Sequence, residues 1–172
     1  MADVATKKFD HAPLLAPGRH YMDTHEIGSR FVDQFDGAAF RRRSRLFSGL
    51  LSAVERIKSA RLPCEVCIDG SFLTQKPEPD DIDIVVLVND DVASSLSTDQ
   101  HEIISLLNAD HPFAGLDSCV FFTYPREHKL FGSALDHREA IEGYGLEHSG
   151  RHLKGFVILK VLETDVGLRI CR

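Results

Sequence analysis

The chain has 172 residues, 43% hydrophobic and 27% charged, with a formal net charge of −6. That length and composition fit one compact domain whose core needs no disulfide, and they exclude wholesale disorder and fibrous repeats. The acidic balance argues against a general nucleic-acid coat, and no apolar run approaches the roughly 20 residues that span a bilayer.

Residues 1 to about 35 mix Pro, Gly, His and charge without sustained periodicity and read as an N-terminal arm, with at most a short helix around Thr24 to Val32. Pro13 and Pro17 bracket only Leu14, Leu15 and Ala16, so no signal-type apolar segment is present and a cytoplasmic protein is expected. After Asp36-Gly37, the apolar residues Phe40, Phe47, Leu50, Leu51, Val54 and Ile57 recur at helical spacing, which predicts an amphipathic helix ending near Leu62-Pro63. Arg41, Arg42, Arg43 and Arg45 on that helix read as a solvated face, with contact to RNA or nucleotide phosphates as the alternative.

Cys64 to Asp69 reads as a strand, Gly70 as a turn, Ser71 to Lys76 as a short helix stopped by Pro77 and Pro79, and Ile82 to Val88 as the next strand. The run from Thr98 to Glu102 has capping character and opens a helix through Leu107. Ser118 to Tyr124 suits a third strand and Gly155 to Leu162 a buried fourth, with a helix over Asp136 to Glu142 and a Gly-rich loop from Gly143 to Gly150 between them. This order predicts an α/β or α+β domain over residues 36–172, with a small mixed sheet of about four to five strands flanked by helices. Cys64 and Cys67 lie three apart on a strand and so point to opposite faces, which favours core thiols over a metal site. The nine histidines, His128 and His148 to His152 included, lack ligand spacing and read as surface residues.

The chemistry concentrates in Ile68 to Val88, IDGSFLTQKPEPDDIDIVVLV. Asp81 and Asp83 alternate with Ile82 and Ile84, so the two carboxylates share one strand face. Like charges side by side call for a cation, and hard oxygen ligands suit Mg2+ or Mn2+, as in two-metal phosphoryl chemistry. Gly70 and Ser71 stand where a strand gives way to a turn, and a missing Cβ lets a phosphate approach backbone N–H groups and the Ser hydroxyl. Asp69, next to this cradle, reads as a residue that fixes the turn by hydrogen bonding.

Gly70-Ser71, a gap, and then Asp81 with Asp83 between hydrophobic residues resemble the polymerase-β-like nucleotidyltransferase superfamily, particularly its small stand-alone bacterial members. Weaker similarity runs from the Arg-rich helix through Asp-Gly-Ser-Phe-Leu-Thr-Gln-Lys-Pro to the Lys154-Gly155 strand. The resemblance implies transfer of NMP from an NTP, with ATP as the expected donor, to a hydroxyl on a protein, RNA or small molecule. It also implies Mg2+ dependence and a third carboxylate on a neighbouring strand, for which Asp117 is the match and Asp136 the fallback. Where many members carry a basic residue after the Gly-Ser pair, this chain has Phe72, Leu73 and Thr74; Lys76 or Lys154 is the expected replacement. Larger members add a helical domain for which this chain has no room, so the arm, a partner protein or a second subunit in a homodimer takes that part. The alternative expectation is a catalytically weak or inactive module of the same fold that binds a partner protein in an antitoxin-like manner.

Overall fold

The computed structural model describes residues 11–110, 112–133 and 154–162. In chain order the elements are β1 (Gly18–Tyr21), α1 (Thr24–Phe31), α2 (Gly37–Ser59), β2 (Cys64–Asp69), a 3-10 turn (Ser71–Leu73), β3 (Ile82–Asn89), α3 (Asp90–Ala93), α4 (Thr98–Leu107), β4 (Leu116–Thr123) and β5 (Gly155–Val161). The five strands form one mixed sheet in the order β1-β5-β2-β3-β4. β1 runs parallel to β5 and β3 parallel to β4, while β2 is antiparallel to both β5 and β3. The expected small mixed sheet flanked by helices is therefore the observed architecture.

The inner strands β2, β3 and β5 are near-continuous runs of buried residues, as strands covered on both faces must be. α2 packs on the sheet through Leu46, Leu50, Ala53, Val54 and Ile57, all at most 1% exposed. The apolar stripe read from the sequence is thus shifted: Phe40 and Leu51 stay exposed, and Leu46 and Ala53 take part in the core. α4 spans the run read as a helix from the sequence and opens on a reciprocal capping box of Ser97 and Gln100. α3, capped by the Asn89 side chain, was not anticipated.

The N-terminal arm is part of this core over its described length. β1 adds to the sheet beside β5, α1 opens on an Asp23–Glu26 capping box, and Ile27 and Phe31 are completely buried. The Ser71-to-Lys76 helix is corrected to a single 3-10 turn, after which Thr74 bridges to Pro13. Cys64 and Cys67 are buried in β2, and desolvation pushes the Cys67 thiol up to about 12, so both keep their protons. Among the described residues no helix is long and apolar enough to cross a membrane. The helix expected over residues 136–142, the Gly-rich loop after it, Asp136 and the histidines from 148 to 152 lie outside the described residues.

Candidate active site

Strand register builds the site. Asp69 on β2 stands opposite Asp83 on β3, and Asp83 opposite Asp117 on β4, so one row of the sheet carries three carboxylates from three adjacent strands. Asp81 lies just before β3, two residues from Asp83 and on the same side by alternation. Ile82 and Ile84 enter the opposite, helix-covered face and are buried, which sets this register.

Asp83 is the electrostatic centre of the row. Partial burial, and after it the negative charges of Asp81, Asp117 and Asp69, push its carboxyl up to about 6, with Lys154 pulling the other way. Asp69 is itself buried, and its Oδ1 lies 3.0 Å from Lys154 Nζ, another nearly buried group at the start of β5. Asp69 is thus a member of the acid row held by an ion pair, a larger part than fixing the turn.

Gly70 follows directly at φ +85°, a conformation that side chains rarely adopt. Its Cα faces the Asp83 carboxylate so closely that an added Cβ would collide with Asp83 Oδ2. Ser71 opens the 3-10 turn, and its carbonyl accepts from the backbone N–H and the hydroxyl of Thr74. The first N–H groups of such a turn have no partner within it and can serve an anion, although one turn carries little of a helix's dipole. Lys76 points elsewhere: its Nζ lies 2.6 Å from Asp80 Oδ2, and its carbonyl accepts from Arg43.

Arg43 is the residue the sequence concealed. The structure corrects the solvated-face reading of the Arg run here, because Arg43 is 0% exposed. Its Nη1 donates to the carbonyls of Phe31 and Phe72, both at 2.8 Å, and its Nη2 to those of Thr74 and Lys76, at 2.7 and 2.6 Å. The guanidinium also lies 3.8 Å from the Phe35 ring centroid and 5.3 Å from that of Phe72. It ties α1, α2 and the loop after the Gly-Ser bend into one block. Only its helical spacing from Leu46 and Leu50, three and seven residues on, which puts it in line with the buried stripe, could have hinted at burial.

The donors are hard oxygens whose mutual repulsion a divalent cation would relieve, so their chemistry fits Mg2+ or Mn2+. Among the described residues, however, no three His, Cys, Asp or Glu side chains are gathered as a finished metal-binding group. What the sheet supplies is a row of carboxylates on three adjacent strands.

A sequence profile for a family of unknown function, DUF6932, matches residues 7–160. The chain belongs to the DUF6932 family. The matched span takes in every element from β1 to β4 and most of β5, so in this DUF6932 protein the arm and the acid row fall within one family unit. No curated protein and no solved structure matches the chain.

Proposed function

We propose that this DUF6932 protein is a metal-dependent nucleotidyltransferase of the polymerase-β-like kind, moving NMP from an NTP to a hydroxyl acceptor. The observation that carries the reading is the contact of the Gly70 backbone with the Asp83 carboxylate, at the centre of a row shared with Asp69 and Asp117. A glycine bend packed against a cation-seeking carboxylate, with the first N–H groups of the 3-10 turn beside it, supplies the two halves that such a reaction brings together.

In this reading Asp81, Asp83 and Asp117 would hold Mg2+ or Mn2+, which supplies Lewis acidity at the α-phosphate when bound. Gly70 lets the phosphates approach the backbone, and the Ser71 hydroxyl donates a hydrogen bond to a non-bridging oxygen. Asp117 Oδ accepts the proton of the acceptor hydroxyl as its oxygen bonds to the α-phosphorus. The bond from that phosphorus to the bridging oxygen breaks and pyrophosphate leaves. Lys154 adds positive charge beside the row through Asp69, in place of the basic residue missing after Ser71.

Incubation with α-labelled ATP or GTP, Mg2+ and a cell extract should label a protein, RNA or small product. Asp83→Asn should abolish that label while the domain stays folded; undiminished transfer by this variant defeats the assignment. A second reading, a non-catalytic module that binds a partner protein, is favoured by one observation: Lys154 is engaged by Asp69 rather than held ready for phosphate. Calorimetric titration with Mg-ATP and Mg-GTP separates the two, because only the enzyme needs to bind either.

A further inference from the structure

The arginines of α2 that are not buried border a second feature. Ala38, Arg41, Arg42 and Arg45 on the helix and Glu78 and Asp80 on the facing loop line an open groove of about 490 Å3. We propose that this groove is a phosphate-binding site, distinct from the acid row and linked to it through Asp80-Asp81.

The groove is built before any ligand arrives. Arg42 Nε donates to the Pro79 carbonyl at 2.8 Å and its Nη2 to the Asp80 carbonyl at 2.5 Å, while Arg43 holds the Lys76 carbonyl. Both ends of the 76–80 loop are therefore drawn onto α2, and a preorganised wall lowers the cost of binding. Charge points to an anion. Lys76 pairs with the Asp80 carboxylate at 2.6 Å, so the lining sets three arginines against one further carboxylate, Glu78.

Arg41 and Arg45 are one helical turn apart on the same side, both exposed. Among the described residues, no carboxylate is paired with either. A guanidinium fork matches phosphate oxygens bidentately, and a local positive site on a chain of net charge −6 selects anions by position rather than by overall attraction. Asp80 is a wall of the groove and Asp81 is the next residue, so the groove and the acid row are joined through the chain at this point. The site's role as the seat for a phosphate-bearing acceptor rests on the transfer reading; its phosphate affinity does not.

The test compares two double variants of the full chain that remove the same charge from the same helix. Arg41→Gln/Arg45→Gln alters the groove, and Arg56→Gln/Lys58→Gln alters the far end of α2. Binding of a short, fluorescent, 5′-phosphorylated single-stranded RNA is read by anisotropy over a salt series, and inorganic phosphate and pyrophosphate are titrated by calorimetry. Thermal melts confirm that both variants fold.

The groove variant should lose about tenfold in affinity, and its log K against log salt slope for RNA should flatten by about 1.4, the loss of two single-strand phosphate contacts. The far-end variant should change by less than about twofold. Pyrophosphate binding alone assigns a free polyphosphate as the ligand, and RNA binding assigns a strand; either supports the site if it follows the groove variant. Equal loss in both variants means that only net charge is being read, and overturns the proposal, as does a wild-type chain that binds none of the three at low salt. Asp83→Asn should keep groove binding intact, so failure of the transfer reading and failure of the groove give different results.

Discussion

At Asp83, a single carboxyl reports the charge of its whole neighbourhood. Its ordinary value of 3.8 is pushed to about 6 by burial and by three other acids, so the folded chain holds this proton more tightly than the unfolded chain does. Below pH 3.8 the group is neutral in both states and costs nothing. As pH rises through 6 the folded state must carry the charge, and stability is lost. Asp83→Asn should therefore stabilise the protein at pH 7 by on the order of 1–2 kcal/mol, after allowing for solvent screening at this partly exposed site. Urea denaturation of both proteins at a series of pH values checks this: the two curves should converge toward pH 4, and a gap that is constant with pH would show that the acid row is not the cause. A residue that weakens its own fold at neutral pH is a common mark of a functional site.

Among the elements, α2 does more than cover the sheet, because Arg43 uses it as a mast from which four backbone carbonyls are held. Arg43→Met would leave those acceptors buried without their donor, and should destabilise the domain by about 3 kcal/mol or more. Arg43→Lys should recover only part of that, since one ammonium cannot span two pairs of carbonyls. Denaturant midpoints of the two variants measure the difference; equal midpoints for Met and wild type would remove Arg43 from the framework. Element by element, β2, β3, β5 and α2 were legible because burial on one or both faces leaves a periodic or continuous apolar pattern. β1 was not: Gly-Arg-His-Tyr is polar and largely exposed, and it is a strand because β5 offers it backbone partners. Arg43 was hidden for a related reason, since a buried arginine in an arginine run has the same spelling as a solvated one. Asp81 and Asp83 could be found from alternation, whereas the inclusion of Asp69 depended on which residue the register sets opposite Asp83.

For the whole molecule, the boundary near residue 35 separates a composition change rather than a unit of packing. Removing residues 1–35 would take away β1 and α1, expose the edge of β5, and leave cavities where Ile27, Phe31 and Val32 are buried. The truncated chain should show no cooperative thermal transition by circular dichroism; a sigmoidal melt near that of the full chain would mean that the arm is dispensable.

The order of the sheet also has a temporal side. β5, the last in sequence of the described strands, lies between β1 and β2, which both precede it by many residues. A ribosome releasing this chain from its N-terminus exposes β1 with nothing to pair against, and keeps one rim of β2 open until residues 155–161 emerge. The sheet can close only once residues 155–161 have been made, and Lys154, the residue that meets Asp69, arrives with them.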